Sequence, residues 1–399
     1  MRSFQIIFLV VFIAINILIY LGSFYSIKKI IVAKRQRMLN ILFPLFHLLI
    51  LVLFFILYIY PFNPGRSGNY SFHLVFNILL FSVFIFNLPM AIAGFGHLIF
   101  RRKKEPVLPY IGLLIAIPLA AAMFYGTVAG VSKIKVVQHD LFFSNLPAGF
   151  HDYRLAIFTD THLGGMLNSV QMMTKAANHI NGAEPDMVLF VGDLVNNFAY
   201  ETEGLEQVFG EISRNRESYS ILGNHDYGDY SRWTSDSLKS QNFNGILLAH
   251  EKMGFRLLRN EHEVLVRGND SIFIAGVENW GHPPFPQYAD LEKATYNIPD
   301  DAFTILLTHD PAHWESVVRE KDDIALTFSG HTHGMQWGIK LAGIPFSLAY
   351  MTRKNWGGLY HSGNSMLHVN TGLGTVGVPW RLDMPAEITI ITLKRGEIN

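Results

Sequence analysis

The chain has 399 residues, and its 32 Lys and Arg balance 32 Asp and Glu. The balance is not local: residues 1–135 carry 13 basic side chains against the single acid Glu105, leaving an equal acidic excess in the remainder. Long charge-free apolar stretches in the basic part exclude a wholly soluble or disordered protein, and the lack of cysteine excludes disulfides, thiolate metal sites and a cysteine nucleophile.

Four of these stretches are each long enough for the ~20 helical residues that cross a hydrocarbon layer. The expected spans are 4–21, 39–60, 72–99 and 107–126, giving a transmembrane helical domain over residues 1–132 and a second domain over 133–399. The first run exceeds the ~7–15 apolar residues of a signal peptide and lacks a small-x-small cleavage site, so it reads as an anchor. Lys28, Lys29, Lys34, Arg35 and Arg37 fill the first connection and Arg101, Arg102, Lys103 and Lys104 the third, against Arg66 alone in the second. Basic loops stay cytoplasmic. That predicts a multi-pass cell-membrane protein whose N-terminus and second domain are extracytoplasmic, with membrane lipid as its neighbour. Asn16, His47, His73, Asn77, Asn87 and His97 fall within the spans; hydrogen bonding between helices is the role expected of them. No acidic or basic residue stands mid-span, so an ion pathway is not indicated.

From about Ser132 the hydrophobic runs shorten. Arg154–Thr159, Asp186–Val191 and Tyr219–Leu222 read as buried strands, separated by helical spacing at Asn168–Gly182 and around Leu205–Ile212. Strands alternating with helices predict βαβ units. Val264–Val266 and Ser271–Val277 form a hairpin pattern, and further strands are expected at Phe303–Leu307, Ala325–Phe328, Met366–Val369 and Ile388–Leu393. The fold expected is a mixed α/β domain of two packed sheets behind a bundle of four transmembrane helices.

The polar residues that carry chemistry follow the strands. Asp160-Thr161-His162, Gly192-Asp193, Gly223-Asn224-His225-Asp226, His309-Asp310 and Gly330-His331-Thr332-His333 each stand at a strand terminus, where open α/β sheets bind ligands. One such fragment would be unremarked, but five in succession point to a shared site. Carboxylates, imidazoles and an amide without a thiol suit a divalent ion such as Mn, Fe or Zn, and there are more ligands than one ion uses.

This motif set resembles that of the calcineurin-like binuclear metallophosphoesterases, over roughly residues 134–393. The tail Asn370-Thr371-Gly372-Leu373-Gly374 with the multispan N-terminus is similar to the membrane-attached bacterial branch, the YkuE-like and YaeI-like phosphodiesterases, and more distantly to UDP-2,3-diacylglucosamine hydrolases. The resemblance implies two divalent metal ions, one held by Asp160, His162 and His333, the other by Asn224, His309 and His331, with Asp193 bridging. It implies that His225 faces the leaving group, that Asp226 orients His225, and that a hydroxide generated between the ions attacks phosphorus. The expected activity is hydrolysis of a phosphodiester or pyrophosphate, on a lipid-linked substrate at the membrane surface. Alternatives are a UDP-2,3-diacylglucosamine hydrolase and, in another class, a catalytically inactive metal-binding sensor or scaffold. Arg381 is read as stabilising the fold rather than touching phosphate. The acidic second domain argues against nucleic acid as a partner, and no protein partner is expected.

Overall fold

The computed structural model describes residues 2–58, 70–100, 106–281, 286–321, 323–341, 344–351, 353–363 and 365–396. Arg66 and the Arg101–Lys104 cluster, on which the orientation argument rests, lie outside the described residues. The described chain forms two compact units, the first made of the four long helices and the second running from Ala129 onward.

In the first unit the apolar stretches become α1 (Arg2–Ile30), α2 (Ala33–Tyr58), α3 (Tyr70–Phe100) and α4 (Val107–Val128). All four are long and apolar enough to cross a membrane. Lipid offers no hydrophobic drive for helix association, so close contact depends on small residues. A Cβ on Gly22 would press on the Ala91 backbone, a Cβ on Gly94 would collide with the Gly22 carbonyl, and Ser26 donates a 2.7 Å hydrogen bond to the Met90 carbonyl. The mid-span amides behave otherwise than expected. Nδ2 of Asn16 and of Asn87 donates one turn back, to the Phe12 and Val83 carbonyls, and His47 Nδ1 donates to that of Phe43. These bonds stay within a helix because the i−4 carbonyl is the nearest acceptor where water is absent.

The second unit is built on two six-stranded sheets. In chain order its elements are β1 (Ile134–Phe143), β2 (Arg154–Phe158), α5 (Ser169–Gly182), β3 (Met187–Val191), α6 (Glu206–Ser213), β4 (Glu217–Ile221), α7 (Asp236–Lys252) and β5 (Arg256–Leu257). There follow β6 (Glu261–Arg267), β7 (Asp270–Gly276), α8 (Leu291–Ala294), β8 (Thr304–Leu307), α9 (Pro311–Ser316) and β9 (Leu326–Ser329). The unit ends with β10 (Ile339–Leu341), β11 (Ile344–Phe346), β12 (Gly358–Ser362), β13 (Ser365–Val369) and β14 (Ala386–Arg395). One sheet has the order β1-β14-β2-β3-β4-β5, the other β12-β13-β9-β8-β7-β6, and β10 pairs with β11 alone. Leu155, Ile157 and Leu189 of the first sheet meet Ile305, Leu307 and Phe328 of the second in a common core. The other face of the first sheet is covered by α5, α6 and α7 through Met173, Ile180, Phe209 and Ile246. Burial on both faces explains why β2 and β3 read as unbroken apolar runs.

Registry sets the position of the site. Phe158 stands beside Phe190, Val191 beside Ile221, Leu307 beside Phe328, and Ser329 beside Val369. The parallel strands therefore stop level with one another, and their outgoing loops share one edge of the two sheets.

Arg381 supports that edge. It is fully buried, and its guanidinium donates to the carbonyls of Thr371, Gly372, Gly374, Met384 and Pro385. Burial lowers its pKa to about 10, which leaves it charged at neutral pH. Arg381→Leu would strip buried carbonyls of their donor, at a cost of about 1–3 kcal/mol for each group left unsatisfied. We expect a loss above about 3 kcal/mol, read by chemical unfolding of the full chain in detergent. A loss below about 1 kcal/mol would mean that those carbonyls recruit other donors.

Candidate metal centre

Each strand that ends at this edge delivers polar side chains into one cleft. β2 runs into Asp160 and His162, β3 into Asp193, β4 into Asn224 and His225, β8 into His309, and β9 into His331 and His333. Asp160, His162, Asp193, His331 and His333 all have positive φ, between 41° and 70°. Left-handed backbone is costly for residues with a Cβ. Here it turns the chain sharply enough that both side chains of the Asp-x-His and His-x-His pairs enter the cleft. Gly192, at φ 87°, meets a requirement of its own, because a Cβ there would strike Gly223 N and His309 Nδ1.

The cleft brings together every residue the motif set named. His162 Nε2 lies 3.8 Å from Asp160 Oδ1 and 3.3 Å from Asp193 Oδ2. His333 Nε2 is 3.0 Å from His162 Nε2 and 3.3 Å from Asp160 Oδ1. On the other side of Asp193, His309 Nε2 is 3.1 Å from Oδ2. His331 Nδ1 is 2.8 Å from Asn224 Oδ1. Asp160, His162 and His333 form one group able to share an ion, and Asp193, His309 and His331 form another. His225 also comes close enough to group with His162 and Asp193.

Whether a cation fits is decided by His309. Its Nδ1 lies 2.8 Å from the Val191 carbonyl, and since a carbonyl only accepts, Nδ1 carries a proton there. Nε2 then aims at the Asp193 carboxylate and has no hydrogen-bond partner among the described residues. A lone pair facing a carboxylate oxygen needs a positive charge between them, and a divalent ion supplies it. Without a metal a proton takes that place: although burial opposes it, Asp193 and Asp160 push the His309 pKa up to about 10. His162 rises likewise to about 9, against burial, through Asp160 and Asp193. Asp193 itself, which burial alone would raise, is held well below the carboxylate range by His309 and His225. The donor set of carboxylate, imidazole and amide matches a hard-to-borderline divalent ion.

The supporting contacts correct one expectation and add others. Asp226 does not serve to orient His225: its carboxylate accepts from the backbone N–H groups of Asp193, Leu194, Val195 and Gly223 at 2.8–3.2 Å. It therefore fixes the loop that carries Asp193, and burial with Asp193 nearby raises its pKa to about 7. His225 takes its orientation from Asn196, whose carbonyl lies 2.8 Å from Nδ1. Burial lowers the His225 pKa to about 4, opposed by the charge of Asp193. Tyr230 stacks on the His225 ring with centroids 4.3 Å apart, and its hydroxyl accepts from Asn224 Nδ2, leaving Oδ1 turned toward His331. Arg353 bridges Asp310 at 2.8 Å and His331 Nε2 at 2.9 Å. Tyr230 and Arg353 match no motif. Tyr230 stands six positions after Asn224 and Arg353 stands 22 after His331, so only the folded loops bring them together.

Comparison with known proteins agrees with the geometry. Residues 153–335 match the family model described as calcineurin-like phosphoesterase. The chain is 29% identical to the transmembrane protein with metallophosphoesterase domain of Danio rerio, covering 96% of this chain and 88% of that protein. It is 28% identical to the metallophosphoesterase YkuE of Bacillus subtilis, over 71% of this chain and 94% of the relative. A solved structure, Haemophilus influenzae NAD nucleotidase, matches at 14% identity and a TM-score of 0.39, over 55% of this chain and 45% of that one. By class, then, this is a metal-dependent phosphoric ester hydrolase with four candidate membrane helices. It carries a calcineurin-like metallophosphoesterase domain.

Proposed function

We propose that the chain is a cell-membrane phosphoesterase that hydrolyses phosphodiester or pyrophosphate bonds of a lipid-linked substrate, with its catalytic domain, residues 133–399, on the extracytoplasmic side. One observation carries the reading: Asp160, His162, Asp193, Asn224, His309, His331 and His333 converge on one cleft, in a chain that also has four helices fit to cross a membrane. In this reading Asp160, His162 and His333 hold one divalent ion, Asn224, His309 and His331 a second, and Asp193 bridges both. When bound, such a pair supplies Lewis acidity toward phosphoryl oxygens and a water whose pKa falls toward ~7. His309 is kept in position by Val191 and Asn224 by Tyr230, so the ligand atoms need no rearrangement to receive charge. His225, with Nδ1 directed at the Asn196 carbonyl, turns Nε2 toward the cleft. An anionic phosphate there draws a proton onto Nε2, which passes to the departing oxygen as its bond to phosphorus breaks. Asp226 acts indirectly by holding the Asp193 loop. The basic first and third connections support this orientation, and a substrate handled at the cytoplasmic face, such as UDP-2,3-diacylglucosamine, is accordingly disfavoured.

The test is a screen of the purified chain in detergent with Mn, using bis-p-nitrophenyl phosphate alongside lipid-linked phosphodiesters and pyrophosphates. We expect hydrolysis of the generic diester that a chelator abolishes and a clear preference for the lipid-linked compounds. Inertness toward all of them would favour the metal-binding scaffold, and turnover of soluble nucleotides alone would remove the lipid from the proposal.

A further inference from the structure

Between α1, α2 and α3 lies a cavity of about 210 Å³ with predominantly apolar walls. At ~30 Å³ for each water, it has room for a hydrocarbon segment rather than a single solvent molecule. Ile17 and Leu48 line it and are themselves exposed on the surface of the helical unit, so the space opens sideways, toward lipid. Its polar lining is Asn16, Tyr20, His47 and Asn87; Asn16, His47 and Asn87 stand near the midpoints of their helices, and the Tyr20 ring meets that of His47 edge-on at 5.3 Å.

Two of these side chains present bare acceptors. Asn87 is 4% exposed, its Nδ2 donates to Val83, and its Oδ1 has no partner among the described residues. His47 Nδ1 donates to the Phe43 carbonyl, which leaves Nε2 as an acceptor, also buried and without a partner. Unsatisfied acceptors are costly at hydrocarbon depth, where water is scarce. Acyl chains and ester groups cannot relieve them, because neither has a donor. A hydroxyl can.

We infer that this cavity binds a long-chain alcohol, with its hydrocarbon between the apolar walls and its single O–H donated to the Asn87 acceptor. The site lies in the helical unit and goes beyond the phosphoesterase reading, which neither supports nor needs it. Intramembrane polar residues of this kind are rare enough to mark ligand sites.

The experiment uses the full chain in phosphatidylcholine nanodiscs and two photoreactive diazirine probes, a long-chain alcohol and its methyl ether. The alcohol should label peptides of α1, α2 and α3 about tenfold more than the ether, the factor that one net hydrogen bond provides. Asn87→Leu should reduce alcohol labelling to the ether level. Equal labelling of the wild-type chain by the two probes, or labels mapping away from these three helices, would overturn the inference. Because that comparison needs only the wild-type chain, a variant that fails to fold does not blunt it.

Discussion

Asp193→Ala is expected to lose both metal ions and nearly all hydrolysis, by at least about 10³-fold, beyond what removing a single oxyanion donor costs. The carboxylate is 1% exposed, and its Oδ2 lies between His162 Nε2 and His309 Nε2, while its Oδ1 is fixed by the His225 N–H at 2.8 Å. Asp193 comes within 3.3 Å of an imidazole in each ligand group, whereas Asp160 Oδ1 reaches His309 Nε2 only at 3.9 Å. Without it, the imidazoles that aimed at an anion would face each other, and two neighbouring cations would lose the negative charge that screens them. Elemental analysis of the purified variant is the direct measurement, with Asp193→Asn as the control that keeps the shape and removes the charge. Wild-type metal content in the alanine variant would refute a bridging role.

His225→Ala should behave in the opposite way. Metal content stays at the wild-type level, because Nδ1 of this residue is committed to Asn196 and Asp193 still meets its other imidazoles. Turnover falls by roughly 10²–10⁴-fold, the usual contribution of a positioned acid. The loss should be largest for an alkyl alcohol leaving group and smallest for p-nitrophenolate, which departs without a proton. A merely structural role would slow both substrates equally. An unchanged rate on the alkyl ester would eliminate the acid assignment.

The sequence made the ligands legible because each stands just beyond an apolar run and next to a glycine or another turn residue. β2, β3, β8 and β9 were readable for the related reason that both faces are buried and the pattern is unbroken. β1 escaped notice: Ile134–Phe143 mixes Lys135, Gln138, His139 and Asp140 with apolar residues, as suits a strand at the edge of its sheet. α7 was missed as well, since Asn242, Asn244 and Gly245 weaken its propensity and only Ile246, Ala249 and His250 are buried. The role of Asp226 was misread for a different reason. Adjacency to His225 suggested a side-chain pair, whereas within the tight turn Asn224–Tyr227 the two side chains diverge, and the carboxylate meets the backbone of a loop more than 30 residues back. Tyr230 and Arg353 show the same limit, since no local pattern encodes a contact between separate loops.

The place of β14 has a consequence for biosynthesis. This strand lies between β1 and β2, pairing Ile134 with Ala386 on one side and Ile157 with Thr389 on the other. A ribosome that has made β1 and β2 has therefore produced two partners that cannot join until β14 emerges, and a long interval of translation separates them. Loop closure over that distance is slow, so the nascent domain holds an open seam next to the strand that leads into Asp160. Hydrolytic competence should thus arrive late and all at once, after β14 is inserted, rather than grow as the chain lengthens.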